Sequence, residues 1–474
     1  MNICIRRLGQ HRGAPRLYLD TAALAQAGFL PGATFNVLVD AEAMRITITL
    51  DPCGDRHVSR KMRGCGVLPV IDINSTQDLA PFAVHGVVRV VIALGKIHLL
   101  LPATVRKALA RAARLATRLA LGQPLHTASL SFGAGITSRA LHEGLAAGGV
   151  AAKLVLANEI NDAYIDLAMV RNPVVTAETA VVAAPMQEAA ADDWLLGRLP
   201  EVDILEAGIP CAGASRAGAA KRKLTRMEDH PVVGHLIGTV MQLIGALQPA
   251  IVLIENVVAY RDTASAAILR GWLVDAGYAV HETVLDSHDF GSLEQRVRWF
   301  LVACPQQFRL DLAGLAPAHP PRPQLASVLE GVEPDDQRWR EVSYLKHKAC
   351  RDEEAGKHFA MQWLHPASTR VPTLRKGYCK GGSTDPRLMH PTDPTRSRLL
   401  TGLEHARIKG IDAGMVTCIG DTLAHQVCGQ SVDVRPVQAI GCRIARAMLS
   451  CGEDLGSTAK NTTTRFASIT EIVG

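Results

Sequence analysis

The feature that most constrains the fold of this chain is an alternation of short apolar segments with amphipathic helical segments, which begins near residue 125. Parallel strands need long crossover connections, which helices usually supply, so the alternation predicts an α/β fold with a doubly wound, Rossmann-like sheet. Ligands of such sheets bind at the carboxyl ends of the strands. The predicted strands are residues 127–131, 153–157, 203–207, 251–255 and 298–304.

A different pattern fills residues 1–102, where apolar and polar residues alternate as they do in half-buried strands. Two similar sets of strands follow one another, which indicates a small β-rich N-terminal domain with an internal repeat. The order of strand, short helix, Pro-Gly turn and hairpin resembles the swapped-hairpin DNA-binding domains of bacterial transition-state regulators and antitoxins. The alternative is an accessory domain that only packs against its neighbour, since a fold alone does not give function.

Changes in composition mark the remaining boundaries. Residues 103–124 are basic and alanine-rich, which predicts a helix and linker whose charges are either solvated or follow a phosphate backbone. Its basic residues are Arg106, Lys107, Arg111, Arg114 and Arg118. The later boundaries predict a catalytic cofactor-binding domain at 125–305, an inserted target-recognition region at 306–396, a C-terminal part at 397–452 that completes the catalytic domain, and a tail at 453–474.

Charge and cysteine usage narrow the class of partner. The formal net charge of +6 favours a polyanionic partner but does not establish one. The 11 cysteines include no C-x-x-C pair, which indicates a reduced environment and no metal site. The N-terminus lacks the apolar core of a signal peptide, and the apolar runs are only strand-sized, so we expect a cytoplasmic protein without a membrane partner.

A glycine turn follows the first strand of the predicted sheet. Residues 131–136 read Ser-Phe-Gly-Ala-Gly-Ile and lead into a helix, so that bare backbone meets a helix N-terminus. The second strand ends at Glu159, where a carboxylate can bind a ribose diol. Together the two features indicate an adenosine-containing cofactor, either NAD or S-adenosylmethionine.

A cysteine follows the third strand of the sheet. Residues 203–215 read Asp-Ile-Leu-Glu-Ala-Gly-Ile-Pro-Cys-Ala-Gly-Ala-Ser, so Cys211 lies in the loop at the ligand-binding edge. A free cysteine is more often a small buried apolar residue. The next strand, however, ends in Glu255-Asn256, which brings a carboxylate and an amide to the same edge.

These motifs resemble those of the DNA (cytosine-5) methyltransferases in both order and spacing. Residues 398–407 and 429–432 are similar to that family's later helix and final motif, so the resemblance extends from about residue 127 to 450. It implies S-adenosylmethionine as cofactor, double-stranded DNA as partner and a cognate restriction endonuclease as a further partner. The motifs that carry it are Pro210-Cys211 with Ser215, Glu255-Asn256-Val257 and Arg296-x-Arg298.

The resemblance also implies roles for the catalytic residues. Cytosine C5 is a poor nucleophile, so Cys211 would add to C6 as a thiolate and convert the ring to an enamine. Glu255 would donate a proton at N3, and Arg298 would contact O2 of the base. Arg296 would support the catalytic loop or Glu255. The cytosine must leave the base stack before any of these steps.

The remaining site residues are predicted from the same motifs. The cofactor-binding residues are Ser131, Phe132, Gly133, Gly135, Glu159, Ile160, Pro210 and Ser431. The DNA-binding residues are Ser215, Lys221, Arg222, Asn256 and Thr373.

The chain departs from the family pattern mainly around the cofactor. The family usually has Asp-x-Phe before its glycines, where this chain has Ser129 and Ser131, and no acidic residue for the adenine amino group is evident between 172 and 186. The other departures are Ile136 for the last glycine, Ile160 for an aromatic residue, Glu294 for a glutamine and Gln430 for an asparagine.

Three alternatives follow from these departures. A tRNA cytosine-5 methyltransferase of the same architecture would differ in substrate. A catalytically silent protein would bind DNA as a regulator and would not respond to Cys211→Ala. A nicotinamide-dependent dehydrogenase would use the glycines and Glu159, but it leaves the Pro-Cys and Glu-Asn motifs unexplained.

Overall fold

The computed structural model describes residues 1–64, 66–210, 224–356 and 361–459. The chain divides into two compact units: the first is Met1–Ala113 together with residues 455–459, and the second is Arg114–Asp454. The division falls within the helix Ala103–Ala120, which covers most of the predicted basic segment at 103–124.

The first unit is β-rich, and its buried core includes Phe29, Ile48, Phe82 and Ile97. Its strands are β1 (Asn2–Arg7), β2 (Gly9–His11), β3 (Ala14–Leu19), β4 (Thr34–Asp40), β5 (Arg45–Leu50), β6 (Arg56–His57), β7 (Ser59–Arg63), β8 (Gly66–Ile73), β9 (Val87–Ala93) and β10 (Lys96–Leu100). Its helices are α1 (Ala22–Gln26) and α2 (Thr76–Ala83), and α3 (Ala103–Ala120) follows.

The two halves of this unit are intertwined. Within the described residues one sheet has the order β1-β9-β10-β5-β4-β6 and another the order β2-β3-β8-β7. Strands β1 to β5 of the first half correspond in order to β6 to β10 of the second. When each strand is replaced by its counterpart, both sheet orders are reproduced in reverse, as expected for an approximate two-fold axis. The outer strand β1 pairs with β9 of the second half, and β6 pairs with β4 of the first. The sequence repeat is therefore a structural repeat.

The second unit contains the elements that carry the site. Its strands are β11 (Leu125–Leu130), β12 (Ala152–Glu159), β13 (Ala180–Ala183), β14 (Ile204–Gly208), β15 (Ile251–Val257), β16 (Tyr278–Asp286), β17 (Glu294–Gln295), β18 (Val297–Pro305), β19 (Arg340–Glu341), β20 (Trp363–Leu364), β21 (Val371–Pro372), β22 (Arg387–Met389) and β23 (Arg396–Arg398). Its helices are α4 (Ile136–Ala147), α5 (Asp162–Arg171), α6 (Met186–Ala191), α7 (Asp193–Leu196), α8 (Leu236–Leu247), α9 (Ala264–Asp275), α10 (Ser343–Glu354), α11 (Gly402–Ile408), α12 (Asp421–Gln430) and α13 (Val434–Ala459).

The main sheet confirms the predicted α/β fold. Its order in the described residues is β13-β12-β11-β14-β15-β18-β16. The strands from β13 to β15 are parallel, whereas β18 is antiparallel to both β15 and β16. The expectation that every strand is parallel was therefore wrong for β18. Its connection from β16, residues 287–296, is shorter than the dozen or so residues that a parallel crossover needs.

Two basic residues of α3 have a structural role instead of the predicted alternatives of solvation or phosphate contact. Asp203, just before β14, is fully buried. Arg114 and Arg118 place guanidinium nitrogens 3.3 and 2.9 Å from its carboxylate oxygens. Arg106 and Lys107 lie exposed on the same helix. A buried carboxylate is stable only when it is paired, so Arg114 and Arg118 compensate Asp203.

The C-terminal helix α13 packs closely on α4. A Cβ at Gly144 would lie 2.3 Å from the carbonyl oxygen of Gln438, and one at Gly148 would lie 2.4 Å from the Cβ of Ala445. These glycines let the two helices approach until their backbones touch. Helix α13 thereby covers the helix that begins at the glycine turn. No helix in the described part of the chain is long and apolar enough to span a bilayer.

Candidate cofactor and catalytic site

The glycine turn joins β11 to α4 through left-handed backbone. Ser131, Gly133 and Gly135 have φ values of 56°, 59° and 74°. A Cβ at Gly135 would lie 2.2 Å from Cζ of Phe132 and 2.5 Å from Nδ2 of Asn172. Only glycine fits this position, both in conformation and in space.

The turn is held by the end of the neighbouring strand β12. Glu159 is 9% exposed and accepts hydrogen bonds from the backbone N–H groups of Gly133 at 2.8 Å and Asn161 at 3.0 Å. A carboxylate offers about four acceptor positions, so Glu159 retains capacity for a further donor such as a ribose hydroxyl. Ile160, the next residue, is 68% exposed. An apolar side chain exposed beside this carboxylate is suited to packing against an adenine ring.

Phe132 and the last cofactor motif occupy different places around the turn. Phe132 is buried in a cluster with Leu154 and Ile165, so its ring faces the protein core. Gln430, at the end of α12, places its amide nitrogen 3.1 Å from the position of a Cβ at Gly133. The hydroxyl of Ser431 donates to the carbonyl oxygen of Cys428 at 2.8 Å and so ends that helix.

Strand β13 brings no carboxylate to this edge of the sheet. The residues that follow it are Ala184 and Pro185, and the amide of Asn158 donates to the carbonyl oxygens of Val182 and Ala184 at 3.1 and 2.8 Å. The end of β13 at this edge therefore presents backbone carbonyl groups that are already bonded to Asn158.

The cysteine loop begins directly after β14. Pro210 is half-buried, while the predicted residues Cys211, Ser215, Lys221 and Arg222 fall within 211–223, outside the described residues. The loop entrance is fixed by Asn256, which is 1% exposed and donates through Nδ2 to the carbonyl oxygen of Ile209 at 3.0 Å. Its Oδ1 accepts from the N–H of Val257 at 2.8 Å. This burial favours a positioning role for Asn256 over the predicted DNA contact.

Glu255 and Arg298 meet at the same edge. The Nε of Arg298 lies 3.0 Å from Oε1 of Glu255, and each side chain is about 15% exposed. Glu255 is the register partner of Gly208 on β14, and a Cβ at Gly208 would lie 3.9 Å from Oε2 of Glu255. A carboxyl and a guanidinium are thus paired beside the strand that leads to the cysteine.

Arg296 binds elsewhere, in a buried polar cluster that joins three segments. Its Nη2 donates to the carbonyl oxygen of Gly429 at 3.2 Å. Its Nη1 lies 3.7 Å from Oε1 of Glu294, which also accepts from the N–H of Leu374 at 2.8 Å. Lys409 lies 3.7 Å from the other oxygen of Glu294. Arg296 therefore contacts Gly429 directly and reaches Leu374 through Glu294.

Residues 371–376, which lie in the segment 306–396, contact strand β17 and the end of α12 at this cluster. Strand β17 pairs with β21, and the hydroxyl of the exposed Thr373 donates to the carbonyl oxygen of Gln295 at 2.7 Å. A Cβ at Gly429 would lie 2.4 Å from the backbone of Arg375 and Lys376. The sequence analysis did not identify Lys409 as a member of this cluster. It did single out its partner Glu294, a charged residue in the place of a glutamine.

Gly135→Ala tests whether the turn holds the cofactor. We expect the substitution to raise the Kd for S-adenosylmethionine by about tenfold or more, because the methyl group clashes with Phe132 and strains a left-handed position. Isothermal titration calorimetry measures this change. Gly122→Ala is the matched control, since Gly122 also has a positive φ but no atom within 4 Å of its Cβ position. Unchanged affinity in Gly135→Ala would contradict the assignment.

Comparisons with known proteins identify the family of residues 126–446 and a similar fold. Residues 126–446 match the family model described as C-5 cytosine-specific DNA methylase. Type II methyltransferase M.NlaX of Neisseria lactamica is 28% identical over 53% of this chain and 78% of its own length. Type II methyltransferase M.MspI of Moraxella sp is 26% identical over 53% of this chain and 57% of its own length. The crystal structure of S. pombe Dnmt2 methyltransferase has a TM-score of 0.53 and 16% identity, and covers 69% of this chain and 99% of that one.

Proposed function

Because the chain belongs to the C-5 cytosine-specific DNA methylase family, we propose that it transfers a methyl group from S-adenosylmethionine to C5 of a flipped-out cytosine in double-stranded DNA. The observation that carries the proposal is the Glu255–Arg298 pair, 3.0 Å apart at the edge where the cysteine loop begins. A carboxyl and a guanidinium held together match the N3 and O2 atoms of one cytosine ring. The type II methyltransferase names of the relatives support a cognate restriction endonuclease as a further proposed partner.

The residues around the glycine turn fit S-adenosylmethionine. Glu159 offers acceptor capacity for the ribose, exposed Ile160 offers an apolar surface for adenine, and Gly133 and Gly135 give the turn the left-handed backbone that brings Glu159 against it. When bound, S-adenosylmethionine supplies a methyl group on a positively charged sulfur. A nicotinamide cofactor would use the same turn, but it gives no role to Glu255, Arg298 or the cysteine.

The proposed reaction uses the protein residues in sequence. The Cys211 thiolate forms a bond to C6 while Glu255 donates a proton at N3, so the ring becomes an enamine nucleophilic at C5. Arg298 contacts O2 and, through its pairing with Glu255, fixes the acid relative to the ring. After C5 gains the methyl group, ordered water removes the C5 proton, the C6–S bond breaks to release the Cys211 thiolate, and N3 returns its proton to Glu255. Asn256 holds the loop backbone at Ile209 throughout.

The flipped base requires compensation from the surrounding surface. Removing a cytosine from the stack costs a few kcal/mol. We assign part of that compensation to Lys221 and Arg222, whose positive charges follow Cys211 closely in sequence and would bind backbone phosphates. Ser215 and Thr373 are further proposed DNA contacts.

Methyl transfer to different nucleic acids tests the function. We expect tritiated methyl groups from S-adenosylmethionine to enter duplex DNA and not tRNA, with bisulfite sequencing of a co-expressed plasmid locating the modified cytosines. Incorporation into tRNA alone would show that the substrate is tRNA and not DNA. DNA binding without any incorporation would favour a catalytically silent regulator.

A further inference from the structure

Glu206 is a buried carboxyl group on a strand that is otherwise apolar. It lies in β14 between Leu205 and Ala207 and is 3% exposed. Its partners among the described residues are serine hydroxyls, and no cationic side chain is among them. An isolated buried carboxylate is strongly unfavourable, so the group must be hydrogen-bonded and uncharged to be tolerated there.

The hydrogen bonds of Glu206 join the two ends of the glycine turn. Ser129 of β11 is its register partner, and Ser138 lies in the first turn of α4. Both hydroxyls donate to the same oxygen, Oε1, at 2.5 Å. Ser129 precedes the turn 131–135, and Ser138 follows it. One carboxyl oxygen therefore fixes the strand and the helix that flank the proposed cofactor turn.

The hydrogen bond between Ser129 and Glu206 involves a position where this chain departs from the family pattern. The family pattern has an aspartate at this point of the first strand, and here a serine hydroxyl binds a carboxyl group that comes from the adjacent strand. We propose that Glu206 is a positioning residue for the cofactor, which sets the geometry of the glycine turn by tying β11 to α4. The proposal rests on the proposed function of that turn as the S-adenosylmethionine site.

Because Glu206 can ionise, a positioning role predicts that the affinity for the cofactor depends on pH. Burial raises the pKa of Glu206 above its ordinary value, the two serine hydroxyls act in the opposite sense, and nearby Glu255 raises it further. The groups that face it are Ser129 from β11, Ser138 from α4 and Glu255 from β15. Ionisation of Glu206 as the pH rises through its raised pKa would place an unpaired negative charge beside Glu255 and disturb the turn. Cofactor affinity should therefore fall as the pH rises.

Glu206→Gln and Glu206→Ala separate positioning from general stability. Glutamine retains an acceptor for both serines and cannot ionise, so we expect its Kd for S-adenosylmethionine to stay within about threefold of wild type and to lose the alkaline weakening. Alanine removes both hydrogen bonds, and we expect its Kd to rise by about tenfold or more. Calorimetric titrations with S-adenosylmethionine between pH 6 and 10 make the comparison, with circular dichroism as the folding control. The KM for the cofactor should change more than kcat.

Ser138→Ala provides a milder second variant if Glu206→Ala does not fold, and it should weaken cofactor binding by severalfold. The proposal is overturned if folded Glu206→Ala binds the cofactor as wild type does. It is equally overturned if Glu206→Gln is as weak as Glu206→Ala, or keeps the pH dependence of wild type. Failure of the wild-type protein to bind S-adenosylmethionine at any pH would instead remove the proposed cofactor function on which this inference rests.

Discussion

Cys211→Ser is expected to abolish methyl transfer, with a loss of at least about 10³-fold in rate, because no other group in the proposed mechanism can add to C6. A serine hydroxyl is far less ionised than a thiol at neutral pH and so provides little nucleophile. Binding of S-adenosylmethionine should be unchanged, since the cofactor turn lies on other strands. The rate is measured as tritiated methyl incorporation under single-turnover conditions.

A duplex containing 5-fluorocytosine tests the same residue covalently. Fluorine at C5 cannot leave as a proton does, so the C6–S bond persists after methylation and the adduct is visible by denaturing electrophoresis. We expect an adduct with wild type and with the exposed-cysteine control Cys53→Ser, but not with Cys211→Ser. If Cys211→Ser still formed the adduct, another residue would have to be the nucleophile.

Glu255→Gln is expected to lower kcat by about 10²- to 10⁴-fold, the usual contribution of a positioned general acid. Glutamine keeps the size of the side chain but cannot transfer a proton to N3, and it loses the ion pair with Arg298. Affinity for S-adenosylmethionine should remain near the wild-type value. Single-turnover kinetics with prebound duplex measures the chemical step separately from release.

The matched control for Glu255→Gln is Glu42→Gln, because Glu42 is an exposed carboxylate of the N-terminal unit. It should leave kcat unchanged. An undiminished rate in Glu255→Gln would remove the acid from the mechanism, even if Cys211 were still required.

The sequence predicts the parts of the fold that depend on local patterns. Runs of apolar residues located β11, β12, β14, β15 and β18, and the turn chemistry at Gly133 and Gly135 located the loop between β11 and α4. The proximity of Glu255 to the cysteine loop followed from the rule that parallel strands present their carboxyl ends to one edge. These inferences need only neighbours in sequence or a topological rule.

The features that escaped prediction depend on contacts between distant segments. Arg114 reaches Asp203 across 89 residues, and Ser129 reaches Glu206 across 77. A charge run or a lone acidic residue in a strand has the same local appearance whether or not such a partner exists. Asn256 belongs to the same group, because only the fold reveals that its amide is already bound to Ile209.

The intertwined halves of the N-terminal unit have a consequence for assembly. In a dimer of separate half-units, the exchange of β1 and β6 would require two molecules to meet, and stability would depend on protein concentration. Here both halves lie on one chain, so the strands are exchanged within a single molecule. The midpoint of denaturation of this unit should therefore be independent of protein concentration. The unit thus has approximate two-fold symmetry within one polypeptide, and its two halves can differ in sequence, as the two subunits of a homodimer cannot.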